Sequence, residues 1–244
     1  MLRRLSAAAA VAVASVSVLV ARAFDPASDA PVQTKKPATA PRNRTAQMVP
    51  FSPGETLTFD VSWSAFLPAG SATLAVTERK PSSGSEAYYI VAEGRPTAWV
   101  SRLYDLYYKA DTLVDIFSLL PQRGSIFSEE GKRQRTKLTI FDHNAKKACF
   151  ELHTATVVKK EVAIPAQAQD VLSALYVVRA RPFRVGEMFS FPICDAGESY
   201  TVQISVGNLE TVATGIGMVR AWKLTPVLPA NHGSAARQLS LWLS

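Results

Sequence analysis

The sequence predicts a mainly β domain: an antiparallel meander forming a barrel-like or strongly curved sheet, with one or two short helices. Three observations predict it. Apolar and polar residues alternate along short runs, as in Leu57-Thr58-Phe59-Asp60-Val61-Ser62-Trp63. Gly, Pro, Asn or Asp bound those runs at short intervals, and helical spacing is confined to two brief segments. Successive strand side chains point to opposite faces, so alternation marks a half-buried strand. Many such strands separated by turn residues suggest a barrel or curved antiparallel sheet.

The strands follow in order. After Leu57–Trp63, Pro68-Ala69-Gly70 predicts a turn, with Ala72, Leu74 and Val76 on the return strand. Pro81 to Gly84 turns again before Tyr88-Tyr89-Ile90-Val91, so the chain reads as a run of hairpins. Further strands are Thr112–Ile116 (after Tyr107 and Tyr108), Lys137–Phe141, and the alternating Ala148, Phe150 and Leu152 beyond the turn Asp142-His143-Asn144. Met188–Ile193, Tyr200–Val206, Leu209–Thr214 and Met218–Thr225 complete the set. Pro96–Tyr104 reads as a short helix or a crossing. Asp170–Arg179 is the better helix: Asp170 suits an N-cap, Leu172, Leu175, Tyr176 and Arg179 follow helical spacing, and Pro182 stops it. At the end Leu239, Leu241 and Leu243 alternate with polar or outward residues. Either this last strand closes a sheet edge or a final hairpin partner is missing.

The N-terminus carries an address. Met1-Leu2-Arg3-Arg4, the apolar run Leu5–Val20 and Ala21-Arg22-Ala23 are the three parts of a secretory signal peptide, residues 1–23. The run is shorter than the roughly 20 residues that span a bilayer, so no transmembrane span is expected after cleavage. Residues 24–50, rich in Pro, Ala, Thr and Lys, read as a disordered linker. The domain then covers 51–244, and the expected location is periplasmic or secreted.

Charge narrows the partners. The chain has 27 basic and 20 acidic residues, a net +7. The leader's three arginines account for three of those charges, and the linker for two more. Nucleic-acid binding needs basicity concentrated on the folded domain, so no nucleic-acid partner is expected.

Candidate site residues are few. Trp63, Tyr88, Tyr89, Trp99, Tyr104, Tyr107 and Tyr108 either line an apolar cavity in a curved sheet or pack its core. Glu129-Glu130-Gly131-Lys132-Arg133-Gln134-Arg135 is either an anion-binding run or a solvated hairpin tip with compensating charges. The ligand-contacting candidates from these sets are Trp63, Tyr104, Tyr108, Lys132, Arg133 and Arg135. Cys149 and Cys194 are the only cysteines. They form one disulfide, contributing roughly 4 kcal/mol by chain entropy, or stand apart, one packed and one near the turn Asp195-Ala196-Gly197. Scattered Cys and His lack the close spacing of a metal site, and no cofactor is implied. His143, His153 and His232 read as solvated loop histidines, and no Gly-x-Ser-x-Gly elbow is present.

Several landmarks carry a family resemblance. Val49-Pro50-Phe51-Ser52-Pro53-Gly54-Glu55-Thr56-Leu57-Thr58-Phe59 with Ala69-Gly70-Ser71-Ala72 resembles the opening of an exported bacterial family, domain of unknown function 3108. Asp170-Val171-Leu172-Ser173-Ala174-Leu175-Tyr176 with Arg179, then Val185-Gly186-Glu187, Gly215-Ile216-Gly217 and Leu241-Trp242-Leu243-Ser244, are similar to its later landmarks. The resemblance implies a periplasmic, β-rich, barrel-like domain without assigned chemistry. The functional expectation is a non-enzymatic module for an amphipathic lipid or glycan ligand, or for an envelope protein. An envelope hydrolase with an unfamiliar site, or a structural part of an envelope assembly, are the alternatives.

Overall fold

The computed structural model describes residues 45–64, 67–102, 104–229 and 237–244. The signal peptide, most of the linker and the loop carrying His232 lie outside the described residues. Thr45–Pro50, read from sequence as linker, belongs to the packed body: the Gln47 amide donates to the Ile116 carbonyl at 2.9 Å, and Ala46 and Val49 pack on the core.

The first sheet is an eight-stranded antiparallel meander in chain order. Its strands are β1 (Thr56–Ser64), β2 (Leu67–Ser82), β3 (Ser85–Pro96), β4 (Leu106–Asp115), β5 (Pro121–Glu130), β6 (Arg133–Asp142), β7 (Lys147–His153) and β8 (Val157–Ala163). A short helix, α1 (Ala98–Ser101), fills the predicted crossing between β3 and β4. After α2 (Val171–Arg179) comes a second antiparallel sheet of β9 (Met188–Asp195), β10 (Glu198–Thr214) and β11 (Gly217–Leu228). The last strands, β12 (Arg237–Gln238) and β13 (Leu241–Leu243), both pair with β11. Leu241 and Leu243 pack on the core, so the alternating C-terminal strand has its partner in Trp222–Leu224.

The mainly β, antiparallel reading holds, but the sheet is not a closed barrel. Among the described residues no ladder joins β8 to β1 or one sheet to the other. The reason lies in α2, which presents apolar side chains to both sheets. Leu172 and Tyr176 enter a core with Phe51, Val76, Tyr88 and Ile90. Val178 enters another with Ile193, Val202 and Leu224. Asp170 caps the helix as expected, its Oδ1 accepting from the Leu172 and Ser173 amides at 2.9 and 2.8 Å, while Ser173 Oγ accepts from the Asp170 amide.

Three local readings change. Pro68-Ala69-Gly70 lies inside β2 rather than in a turn, with Gly70 paired to Pro96. A Cβ at Gly70 would sit 2.3 Å from the Arg95 carbonyl oxygen, so this glycine serves close backbone approach. The separate strands expected at Tyr200–Val206 and Leu209–Thr214 are one strand, β10, carrying an irregularity between Val206 and Leu209. β5 and β8 escape sequence detection: β5 places apolar Ile126 and Phe127 side by side, and β8 is an exposed, charged edge strand. The turn after Ser82 is as expected, with Ser83 and Gly84 both at positive φ, as tight hairpins require.

Candidate functional site

Between the two sheets and beside α2 lies a cavity of about 570 Å³, within the range of roughly 300–1,000 Å³ typical of ligand sites. The first sheet supplies Ala92, Ala110, Ile126 and Thr139. The register puts these on one face: Ala92 opposes Ala110, Ala110 opposes Ile126, and Thr139 opposes Gly124. The small residues at 92, 110 and 124 leave the space that larger side chains would fill. The helix contributes Leu172, Ala174, Leu175 and Val178. The second sheet faces them with Phe191, Ile193, Val202, Ile204, Leu228 and Leu241.

The polar side chains on this wall are Asp111, Ser125, Lys137, Thr139, Asp170 and Asp195, with the Tyr200 hydroxyl. Lys137 stands between Ile126 and Leu152, its cross-strand neighbours on β5 and β7. Asp170 lines the cavity beside Gly124, where a Cβ would come within 3.3 Å of its Oδ2. The residue keeps some accessible surface along the cavity, but its carboxyl is enclosed by protein. Burial pushes that carboxyl above the ordinary carboxylate range, against hydrogen bonds from Thr112, Ser173 and Leu172. Thr112 Oγ1 donates to Asp170 Oδ2 at 2.6 Å and lies 3.3 Å from the Arg123 carbonyl oxygen.

Among the described side chains, the aromatic residues picked out in the sequence do not line the cavity. Tyr88 is core, edge-on to Phe51. Tyr107 pairs with Phe127 on the opposite face of the sheet, beneath the Arg95 guanidinium. The cavity's aromatic residues, Phe191 and Tyr200, come from the second sheet. Trp63 lies in β1, with its side chain outside what is described. Tyr104 is exposed, its ring against Gly131 at the β5–β6 turn. Tyr108 donates to Glu130 Oε1 at 2.6 Å, and burial together with that bond pushes its hydroxyl up to about 12. Lys132 and Arg133 are exposed at the same hairpin tip and Arg135 is half-buried. Tyr104, Tyr108, Arg133 and Arg135 therefore gather near one hairpin tip, outside the cavity, and of these Arg133 and Arg135 share β6 with Lys137. Nothing in local sequence distinguishes Lys137 from any strand lysine. Only the register reveals that it faces inward.

Both cysteines are free thiols, so the disulfide alternative gives way to two separate residues. Cys149 is exposed on β7, on the face of the first sheet turned from the cavity, and Cys194 is buried on β9. Burial, reinforced by the charge of Asp195, pushes the Cys194 thiol up to about 11. A thiolate-selective reagent should therefore label Cys149 in the folded protein and reach Cys194 only after denaturation. Mass spectrometry of the labelled peptides tests this, and equal labelling of both native thiols would contradict it.

Among the described residues, the side chains considered for acid–base chemistry do not converge. His143 is not a freely solvated loop residue: its Nε2 lies 2.7 Å from the Pro121 carbonyl oxygen and its ring stacks on Phe141. His153 pairs with Glu151, and Glu129 accepts from Gln134. Of these residues and Asp170, only Asp170 faces the cavity. Among the described residues no three His, Cys, Asp or Glu side chains gather as metal ligands. No helix among them is long and apolar enough to cross a membrane.

No curated protein and no solved structure matches the chain. The family model described as Protein of unknown function (DUF3108) matches residues 58–244, from β1 through β13 and including every cavity-lining residue, and the chain belongs to that family.

Proposed function

We propose that the protein is a non-enzymatic, exported binding module of the bacterial envelope, holding one amphipathic ligand in the cavity between its sheets. The N-terminal signal-peptide pattern supports export to the periplasm. The cavity carries the ligand reading. Its wall is nearly all aliphatic and aromatic, so an alkyl chain gains about 0.8 kcal/mol for each methylene it buries. A glycan would instead leave its hydroxyls facing Ala92, Ala110, Val202 and Ile204 and would forfeit their hydrogen bonds to water. An amphipathic lipid is the better fit of the two.

The test is native mass spectrometry and organic extraction of the purified protein, followed by binding of alkyl amphiphiles of increasing chain length. Affinity should rise about fourfold per methylene until the cavity is filled, and then level off. Ala110→Trp, which fills the cavity from the β4 wall, should abolish binding while the protein still unfolds cooperatively. Absence of copurifying lipid together with chain-length-independent binding would refute the reading.

A further inference from the structure

The cavity has a polar continuation. Along β6 the residues Arg133, Arg135, Lys137 and Thr139 share one face, opposite Glu130, Ser128, Ile126 and Gly124 of β5. Successive members stand about 6.6 Å apart along a strand. Thr139 and Lys137 line the cavity, and Arg135 and Arg133 carry the same face outward to the hairpin tip. Three cations thus lead from an apolar chamber to the surface.

None of the three forms an ion pair or a side-chain hydrogen bond among the described residues. Asp195 lines the cavity from the end of β9, on the second sheet; the acids on or beside the first sheet are engaged elsewhere. Asp111 is held by Arg123 and Ser125, Glu130 by Tyr108, and Asp170 by Thr112 and the first turn of α2. An uncompensated ammonium flanked by Ile126 and Leu152 has lost part of its hydration without gaining an anion.

We infer that the ligand is an anionic amphiphile, its alkyl chain in the cavity and its carboxylate or phosphate on Lys137, with Arg135 as the second contact. This rests on the cavity being an amphiphile site, and it adds the head-group charge and the direction in which the ligand lies. Carboxylate and phosphate share the needed chemistry, an oxyanion accepting charge-assisted hydrogen bonds.

Dodecanoate, dodecyl phosphate and dodecanol distinguish the possibilities, each titrated calorimetrically into the purified protein. Both anions should bind at least about tenfold tighter than the alcohol, as a charge-assisted bond implies, and high salt should shrink that preference. Lys137→Met should remove the preference, so that both anions bind no tighter than dodecanol does to the same variant, and Lys137→Arg should restore it. Arg135→Met should weaken dodecyl phosphate more than dodecanoate, since only the dianion needs a second cation. Equal binding of alcohol and anions to the unaltered protein overturns the head-group assignment and leaves the cavity reading standing. A preference that survives both Lys137→Met and high salt overturns it as well. Binding of none of the three probes overturns the cavity reading, and this inference with it.

Discussion

Asp170→Ala should destabilise the protein by about 3 kcal/mol, whereas Asp170→Asn should stay within about 1 kcal/mol. The alanine removes the acceptor of two amides at the start of α2, at Leu172 and the fully buried Ser173. Losing an N-cap costs about 0.5–2 kcal/mol, and burying an unsatisfied donor adds about 1–3 kcal/mol. The asparagine keeps an oxygen for those amides, and its N–H can donate to Thr112 Oγ1 in place of the hydrogen bond the carboxyl accepts there.

The two variants also separate in pH dependence. The Asp170 carboxyl is raised in the folded state by burial, so the folded protein keeps that proton to higher pH than the unfolded chain does. Its contribution is full below the ordinary carboxyl value and is lost as pH rises through the folded value. Asp115 works in the opposite sense. Burial would raise it, but Ser85, Ser118 and the Phe117 amide hold it below its ordinary value, so its contribution is lost as pH falls. The quantity to read is therefore the difference between the unaltered protein and Asp170→Asn in urea melts at several pH values. That difference should move in favour of Asn as pH rises. Equal destabilisation by Asn and Ala would mean that an oxygen acceptor at the cap does not suffice and that the carboxyl itself is required.

Arg179→Met should cost about 2–4 kcal/mol, close to the figure for breaking a buried ion pair. Arg179 Nη1 and Nη2 meet Glu55 Oε1 and Oε2 at 2.7 and 3.0 Å, and the side chains are only 15% and 20% exposed. The guanidinium also lies 4.9 Å from the Tyr176 ring centroid and 5.7 Å from that of Phe51. This fork joins the last turn of α2 to the residue just before β1, so its loss strands a shielded carboxylate. Arg179→Lys keeps the charge but not the planar fork, and should recover part of the stability. The double replacement Glu55→Met with Arg179→Met should be less damaging than the sum of the single changes, because no unpaired charge remains. Strict additivity in denaturant melts would show that the two residues do not act as a pair.

These residues mark how far sequence reading reaches. Asp170 was legible as an N-cap because capping is local: a short acceptor side chain followed by helical spacing. Arg179 was legible as a helix residue, but Glu55 lies 124 positions away, and no local pattern links them. Tyr108 and Arg135 were legible as candidates, yet Lys137 was not, because its inward face follows from a register spanning β5, β6 and β7.

By itself the sequence determined the strand-rich, antiparallel character, the α2 cap and the hairpin turn at Ser83-Gly84. Each of these depends on side chains only a few positions apart along the backbone. The tertiary structure alone decided that there are two open sheets rather than a barrel, that α2 stands between them, and that small residues at 92, 110 and 124 leave a cavity there. Alternation states that a strand has an apolar face but not which distant face it meets. That choice belongs to long-range packing, here set by α2, whose apolar residues enter a core on each sheet.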